Sequence, residues 1–180
     1  MGLLRNLRNK SLIRQPESTT TSGVGKEEFM DWAAMIEEQL GYYSALTMSR
    51  NLRGAGLTFR CRSQDQLEVF TLSMSGQADK YHFETDKKYK TRLQFDNSVI
   101  LYAYLHAYKQ EHAIIIDVSD DFLENIYDSQ NLKIEFTGEG GKKVAVKFSL
   151  KGASSAIKST IERGNEQKGQ VSSSLLADVG

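Results

Sequence analysis

Cysteine and proline are nearly absent from this sequence, which contains one residue of each. With Cys61 as its only cysteine, the chain has neither an intrachain disulfide nor a cysteine-based zinc site, and a lone thiol favours a reducing compartment. An excess of one charge is also missing, because 23 Lys and Arg residues balance 23 Asp and Glu residues. That balance argues against a dedicated nucleic-acid binder, whose domain usually carries a basic excess. No apolar run approaches the ~18 residues needed to cross a bilayer.

The length of 180 residues fits one ordinary domain with tails. Residues 1–25 hold a basic arm and the polar linker PESTTTSGVG, and we expect them to be disordered. Residues 26–163 are the predicted globular domain. Residues 164–180 are polar and glycine- and serine-bearing, so we expect a disordered tail.

The clearest structural pattern lies in residues 132–161. Apolar and polar residues alternate over 132–137 and again over 144–150, on either side of the segment GEGG. A period of two predicts strands with one buried face, and the glycines suit a hairpin turn. Beyond Gly152 the apolar spacing changes to three and four, which predicts a short C-terminal helix with Ser154 or Ser155 as its N-cap.

Alternation elsewhere predicts further strands. Two of them, 57–62 and 67–72, form a predicted hairpin, and residues 122–127 form a predicted short helix with acids in its first turn. Residues 97–108 fit a helix or a strand rich in β-branched and aromatic residues, and both assignments stay open. The other predicted strands are 81–83, 89–95 and 113–118.

An amphipathic helix is predicted over residues 26–40, because Phe29, Trp32, Ala33, Ile36 and Leu40 recur at helical spacing. In one interpretation this apolar stripe packs on the domain's own sheet. In the other, Phe29, Trp32 and Ile36 bind a partner protein, with Trp32 as the anchor, since tryptophan is enriched at binding hot spots.

The basic arm has three interpretations: a frayed tail, an amphipathic helix on an anionic membrane or another subunit, and a transit peptide. No uninterrupted apolar stretch follows its charges, so we recognise no secretory signal. The residues that would contact a membrane or partner are Leu3, Leu4, Arg5, Leu7 and Arg8.

Side-chain chemistry is sparse. His106 and His112 are six residues apart, which is not the spacing that places two imidazoles on one helix face. The acids near 117–124 suit helix capping, with weak cation binding or acid/base chemistry as the alternative. Residues 152–156 lack the G-x-S-x-G pattern of a nucleophile elbow. We therefore predict no catalytic, cofactor-binding or metal site, and a chain that is not an enzyme.

Several short motifs resemble the TagO/VasI family of accessory proteins linked to bacterial type VI secretion. LTFRC at 57–61 looks like that family's strand ending in Arg-Cys, and EVFTL at 68–72 sits where its second strand would. The helix at 122–131, LKIEF, the glycine turn and VKFSLKGASSAI resemble its closing segment. Similar closing motifs occur in invasion-associated locus B-like β-sandwich proteins.

The resemblance implies a binding or assembly role rather than a reaction. Family members are exported and commonly carry a second cysteine near the end of the last helix, which could pair with the one after the arginine. Here Gly164 and Asn165 occupy that neighbourhood. The missing second cysteine and the lack of a recognised secretory signal both favour a cytoplasmic or virion-associated relative. Peripheral membrane contact is left open.

Together these patterns predict a β-rich α+β fold. Its core would be an antiparallel β-sandwich or barrel-like sheet, with an N-terminal amphipathic helix and a short C-terminal helix. The predicted function is a non-enzymatic protein–protein interaction or assembly module that binds a protein partner or itself, without nucleic acid. The alternative is a membrane-surface adaptor tethered through the basic arm.

Overall fold

The computed structural model describes residues 24–37, 42–62 and 67–177. Two short 3-10 helices, Gly76–Tyr81 and Glu139–Gly141, accompany the regular elements. In chain order the strands and helices are β1 Val24–Phe29, β2 Trp32–Glu37, β3 Tyr42–Met48, β4 Ala55–Arg62, β5 Leu67–Met74, β6 Lys88–Phe95, β7 Val99–Lys109, β8 His112–Ile116, α1 Phe122–Asp128, β9 Asn131–Thr137, β10 Lys143–Ser149 and α2 Ala153–Ala177.

The ten strands form one antiparallel sheet in the order β1-β2-β3-β4-β5-β8-β7-β6-β9-β10. One face of the sheet is apolar and carries the core, in which Phe59, Leu93, Phe148 and Ile157 are almost fully buried. Helix α2 packs against β1–β4 and fills the concave side there. The result is a strongly curved sheet wrapped around one hydrophobic core, with helices closing it.

The two ends of the sheet come together through side chains and loops rather than through strand pairing. The Trp32 indole Nε1–H donates to the Ser149 carbonyl over 2.9 Å, which joins β2 to the end of β10. The Asn51 side chain pairs with the free edge of β10: its amide donates to the Ala145 carbonyl over 2.8 Å and its oxygen accepts from the Lys147 N–H over 2.7 Å. These bonds satisfy backbone groups that an open sheet edge would leave to water.

The predicted helix over residues 26–40 is wrong. Residues 24–37 form the β1–β2 hairpin, and the chain reverses at Met30 and Asp31, where Met30 has a φ of 55°. Apolar spacing at three and four is compatible with two strands when a tight turn falls between them. Residues 38–40 lie outside the described residues.

Two other predictions need correction. Residues 81–83 do not form a strand, because the chain enters the 3-10 helix Gly76–Tyr81 instead. Helix α2 continues to Ala177, so it is longer than the short C-terminal helix that the sequence predicts. It also begins at Ala153, which places Ser154 and Ser155 inside the helix rather than at its N-cap.

The β-rich α+β class is confirmed, and so are both predicted hairpins. Strands β4 and β5 pair in antiparallel register, as do β9 and β10, where Gly140 and Gly141 have positive φ in the connection. Of the ambiguous residues 97–108, those from 99 onwards lie in β7, which pairs with β6 on one side and β8 on the other, whereas 97 and 98 belong to the turn before it. The predicted short helix corresponds to α1.

Candidate functional site

The outward side of β6 carries a row of cations. In KYKTRLQF the residues Tyr89 and Leu93 point into the core and are buried, whereas Lys88, Lys90 and Arg92 alternate with them and point to solvent. Alternation follows from the pleat of a strand, whose successive side chains leave opposite faces of the sheet. One strand therefore supplies both core packing and a positively charged surface.

The neighbouring strands β7 and β8 carry exposed apolar groups on the same outward side. Tyr102 is 63% exposed, Ile100 43% and Tyr104 39%. On β8, the half-buried Ile116 lies opposite Tyr104 of β7, and Ile114 points to the same side two residues before it. These five residues form a continuous apolar strip, and the register places Tyr102 directly beside Arg92 and Tyr104 beside Lys90.

On the other side of β6, strands β9 and β10 add more cations. Lys133 points outward from β9, and Lys143 and Lys147 point outward from β10. The small residue Ala145 lies between the two lysines of β10, directly opposite Glu135 of β9. Small side chains between long ones leave a groove of about 590 Å³, lined among others by Lys88, Lys90, Arg92, Tyr102, Glu135, Lys143 and Ala145.

We use the name cationic–aromatic face for one group of the outward side chains of β6–β10. It consists of the apolar strip Ile100, Tyr102, Tyr104, Ile114 and Ile116, the cations Lys88, Lys90, Arg92, Lys133, Lys143 and Lys147, and Glu135, Thr137 and Ala145 between them.

The acid on β9 is held by the cations around it. Glu135 forms ion pairs with Arg92 and, at 3.2 Å, with Lys133. Burial alone would raise the pKa of Glu135, but hydrogen bonds from Arg92 and Lys133 outweigh it and lower that pKa. Since Glu135 is the acid among the outward residues of β6, β9 and β10, the other cations of the face give the groove a net positive charge.

The strip and the groove are joined by a cation–π contact. The Lys90 ammonium lies 5.9 Å from the centroid of the Tyr102 ring. Lys88 forms a long ion pair with Asp117, at 3.9 Å. Both lysines are thus largely solvated and free of close carboxylate partners on their own strand, so they are available to an incoming anionic group.

The predicted partner-binding residues lie elsewhere, and their positions differ from the prediction. Trp32 is 2% exposed and belongs to the core, so it is not a surface anchor. Phe29 is partly buried and packs against the same core. The backbone of Ile36 pairs with Gly25 and Tyr43, and its side chain lies outside the described part of the chain. The interpretation in which this stripe packs on the domain itself fits Trp32 and Phe29.

The predicted arm residues Leu3, Leu4, Arg5, Leu7 and Arg8 lie outside the described residues. Within the described ranges, no cluster of three His, Cys, Asp or Glu side chains is arranged to hold a metal ion. His112 instead contacts the Ser73 hydroxyl at 3.0 Å and stacks on Tyr108. Across the same ranges, no helix is both long and apolar enough to span a bilayer.

Sequence reasoning missed the cationic–aromatic face, although part of its signal was visible. The strand over residues 89–95 was predicted, and the alternation of Lys88, Lys90 and Arg92 places these cations on one side of it. The tyrosines at 102 and 104 share a face only if residues 97–108 form a strand, and the sequence alone leaves that assignment open. The pairing of β6 with β9 joins residues distant in the sequence, so the groove had no local signature.

Comparison with known proteins gives a relationship of fold. No family model matches the chain, and no curated protein matches it. Among solved structures, the crystal structure of invasion-associated protein B from Bartonella henselae matches with a TM-score of 0.55 and 14% sequence identity. The match covers 78% of this chain and 98% of that protein. This likeness concerns the fold and agrees with the resemblance of the closing motifs to invasion-associated locus B-like proteins.

Proposed function

We propose that this chain is a non-enzymatic protein–protein interaction module and that the cationic–aromatic face is its binding surface. The observation that supports the proposal is the apolar strip, in which Ile100, Tyr102 and Tyr104 are exposed side by side on a regular sheet. Exposed apolar residues that are contiguous and rimmed by polar groups mark interaction sites, whereas scattered ones are ordinary.

The arrangement of the strip suits binding better than catalysis. Tyrosine supplies a large contact area with few rotatable bonds, and it is enriched in the cores of protein interfaces. The strip lies on two hydrogen-bonded strands, β7 and β8, and β7 is also paired with β6, so the backbone ladder holds the shape of the strip. A rigid platform of this kind reduces the entropy that ordering a surface would cost on binding.

We also propose that the chain is related to the TagO/VasI accessory proteins and acts in a reducing compartment or a virion. Two features support this: the sequence motifs that resemble that family, and the geometry around Cys61. Position 164 on α2 faces the Cys61 sulfur and holds glycine, so the site where a second cysteine would fit carries none.

The test is chemical cross-linking of the tagged full chain in its host, followed by mass spectrometry. Tyr102→Ala and Tyr104→Ala should abolish recovery of a protein that the wild type cross-links. Met48→Ala, which alters a side chain of similar exposure (56%) on β3, should retain it. Circular dichroism of each variant checks that the fold is intact.

Recovery of the same partner by all variants would place the interface elsewhere and refute the proposal. A partner that is lost with Tyr102→Ala and kept with Met48→Ala would support it and identify the partner.

A further inference from the structure

The cationic–aromatic face is divided into two parallel strips of different chemistry. Strands β7 and β8 present the apolar strip, and β6, β9 and β10 present cations on both sides of the groove. Both strips run along the strand direction, because each follows alternate residues of its own strand. A ligand that lies along the strands therefore meets an apolar surface on one side and a positive surface on the other.

The dimensions of the two strips match those of a helix. Neighbouring strands are about 4.8 Å apart, so β7 and β10 are separated by roughly 14 Å, and an α-helix with side chains is about 10–12 Å across. Ile100, Tyr102 and Tyr104 extend over roughly 13 Å along β7, since alternate residues of a strand are about 6.7 Å apart. That length corresponds to about nine residues of an α-helix.

We infer that the occupant of this face is an acidic amphipathic helix of a partner protein, an inference that rests on the protein-binding role proposed above. Its apolar side would cover Ile100, Tyr102 and Tyr104. Its carboxylates would lie over the groove and pair with Lys90 and Lys143.

Charge complementarity supports an acidic ligand. The aliphatic residues of the face indicate that this ligand is a protein rather than a nucleic acid. Ile100, Ile114 and Ile116 offer no stacking surface for bases, whereas they pack well against aliphatic side chains. Glu135 would repel a continuous phosphate backbone at the centre of the groove, but a helix can direct an uncharged residue towards it. Because the total charge of the chain is balanced, its attraction for an acidic ligand depends on local groups of cations such as this face.

The experiment is fluorescence polarisation with the full chain and a labelled peptide of about 18 residues, long enough for partial helicity. The peptide carries leucines at positions i, i+3, i+4 and i+7 and glutamates on the opposite side. A scrambled peptide of the same composition controls for charge alone. Further probes are an oligothymidylate and vesicles containing phosphatidylserine.

We expect the amphipathic peptide to bind and the scrambled one to bind at least about tenfold more weakly. The double variant Lys90→Glu/Lys143→Glu should reduce affinity for the amphipathic peptide about tenfold or more, because it reverses two charges at the groove. Lys158→Glu makes one such charge reversal on α2, away from the face, and should have little effect.

Equal binding of both peptides would show a response to charge alone and overturn the inference. So would binding of the oligonucleotide or the vesicles without binding of the amphipathic peptide. If the host partner depends on Tyr102 but is unaffected by Lys90→Glu/Lys143→Glu, the protein-binding role stands and the acidic helix is refuted. If Tyr102→Ala changes no partner at all, the protein-binding role itself fails.

Discussion

Gly164 of α2 lies against Cys61 of β4: a Cβ atom at Gly164 would be 3.3 Å from the Cys61 sulfur and 3.7 Å from the Tyr43 ring. The two residues belong to elements that pack on each other at the concave side of the sheet. In a disulfide, the sulfur of one cysteine and the Cβ of the other are separated by a similar distance, because the S–S bond is about 2.05 Å long. The fold thus places a disulfide-compatible pair at a position where the sequence has one cysteine.

Gly164→Cys is therefore expected to form a disulfide with Cys61 under oxidising conditions. The bond would close a loop of about 100 residues, and cross-links of this kind raise the free energy of unfolding by about 2–4 kcal/mol. Loss of thiol titre together with a higher denaturation midpoint that falls on adding reductant would confirm it.

Gly164→Ser is the matched control, because it adds an atom of similar position without a cross-link. Its stability should be independent of reductant. Two titratable thiols remaining in Gly164→Cys after oxidation would show that α2 does not hold position 164 against Cys61.

Gly152→Ala should destabilise the protein severely. Gly152 has a φ of 88°, and a Cβ there would overlap the Phe29 carbonyl oxygen, so the backbone of β1 or of Gly152 would have to shift. We expect a loss of at least about 3 kcal/mol, since both backbone strain and a steric clash are involved. Urea denaturation followed by circular dichroism measures it.

Gly140 provides the comparison for that substitution. It also has a positive φ, of 65°, but nothing lies within 4 Å of a Cβ placed there. Gly140→Ala should lower the free energy of unfolding by only about 1 kcal/mol, because the strained backbone conformation is its sole effect. Equal losses for the two variants would exclude the clash as the cause.

Trp32→Phe should lower the free energy of unfolding by about 1–3 kcal/mol. The substitution keeps an aromatic ring in the core but removes the donor to the Ser149 carbonyl, which then loses a buried hydrogen bond. Urea denaturation monitored by circular dichroism is suitable, because Trp32 is the only tryptophan. Tyr102→Phe removes an exposed hydroxyl and should change stability by less than about 0.5 kcal/mol.

The Asp31 carboxylate makes stability depend on pH in the acidic range. A hydrogen bond from the Ser149 hydroxyl is the largest cause that lowers the pKa of Asp31, and the neighbouring Arg50 adds to it against the opposing effect of desolvation. Because folding lowers the pKa of Asp31, the ionised carboxylate stabilises the folded protein at pH values above its pKa in the unfolded chain, near 3.8. That stabilisation is lost as the pH falls through the lower pKa of the folded state. Ser149→Ala should therefore be less stable than the wild type at neutral pH.

The measurement is the unfolding free energy of the wild type and Ser149→Ala between neutral and strongly acidic pH. The difference between them should narrow as Asp31 becomes protonated. A difference that does not change with pH would show that Ser149 acts by packing alone.

The sequence predicts best those parts of the fold in which local pattern and tertiary packing agree. The β9–β10 hairpin was identified because alternation and glycines coincide, and Gly140 and Gly141 indeed supply the positive φ of the turn. The β1–β2 hairpin was missed because its turn uses Met30 and Asp31, which carry no turn signal of the Asn-Gly or Pro-Gly type. What favours strands there is a tertiary contact, the bond from Trp32 to β10.

The candidate site was less predictable than the fold. Lys90 and Tyr102 belong to different strands, and their proximity depends on the β6–β7 register. Lys143 reaches the same groove only through β9, which pairs with β6 across about 40 residues of sequence. Such non-local pairings leave no trace in a single strand's pattern, so the charges could be predicted as solvent-facing but not as neighbours.

The side-chain bonds of Asn51 to β10 have a consequence for the order of folding. The residues they join are 94 and 96 positions apart in the chain, and the bond from Trp32 to Ser149 spans 117 positions. Contacts of such separation are entropically costly to form early, so folding of this domain is expected to be slow for its size. Until Asn51 reaches β10, the edge of that strand is exposed and can pair with another chain. Refolding yield should therefore fall as protein concentration rises, even though the completed fold covers that edge.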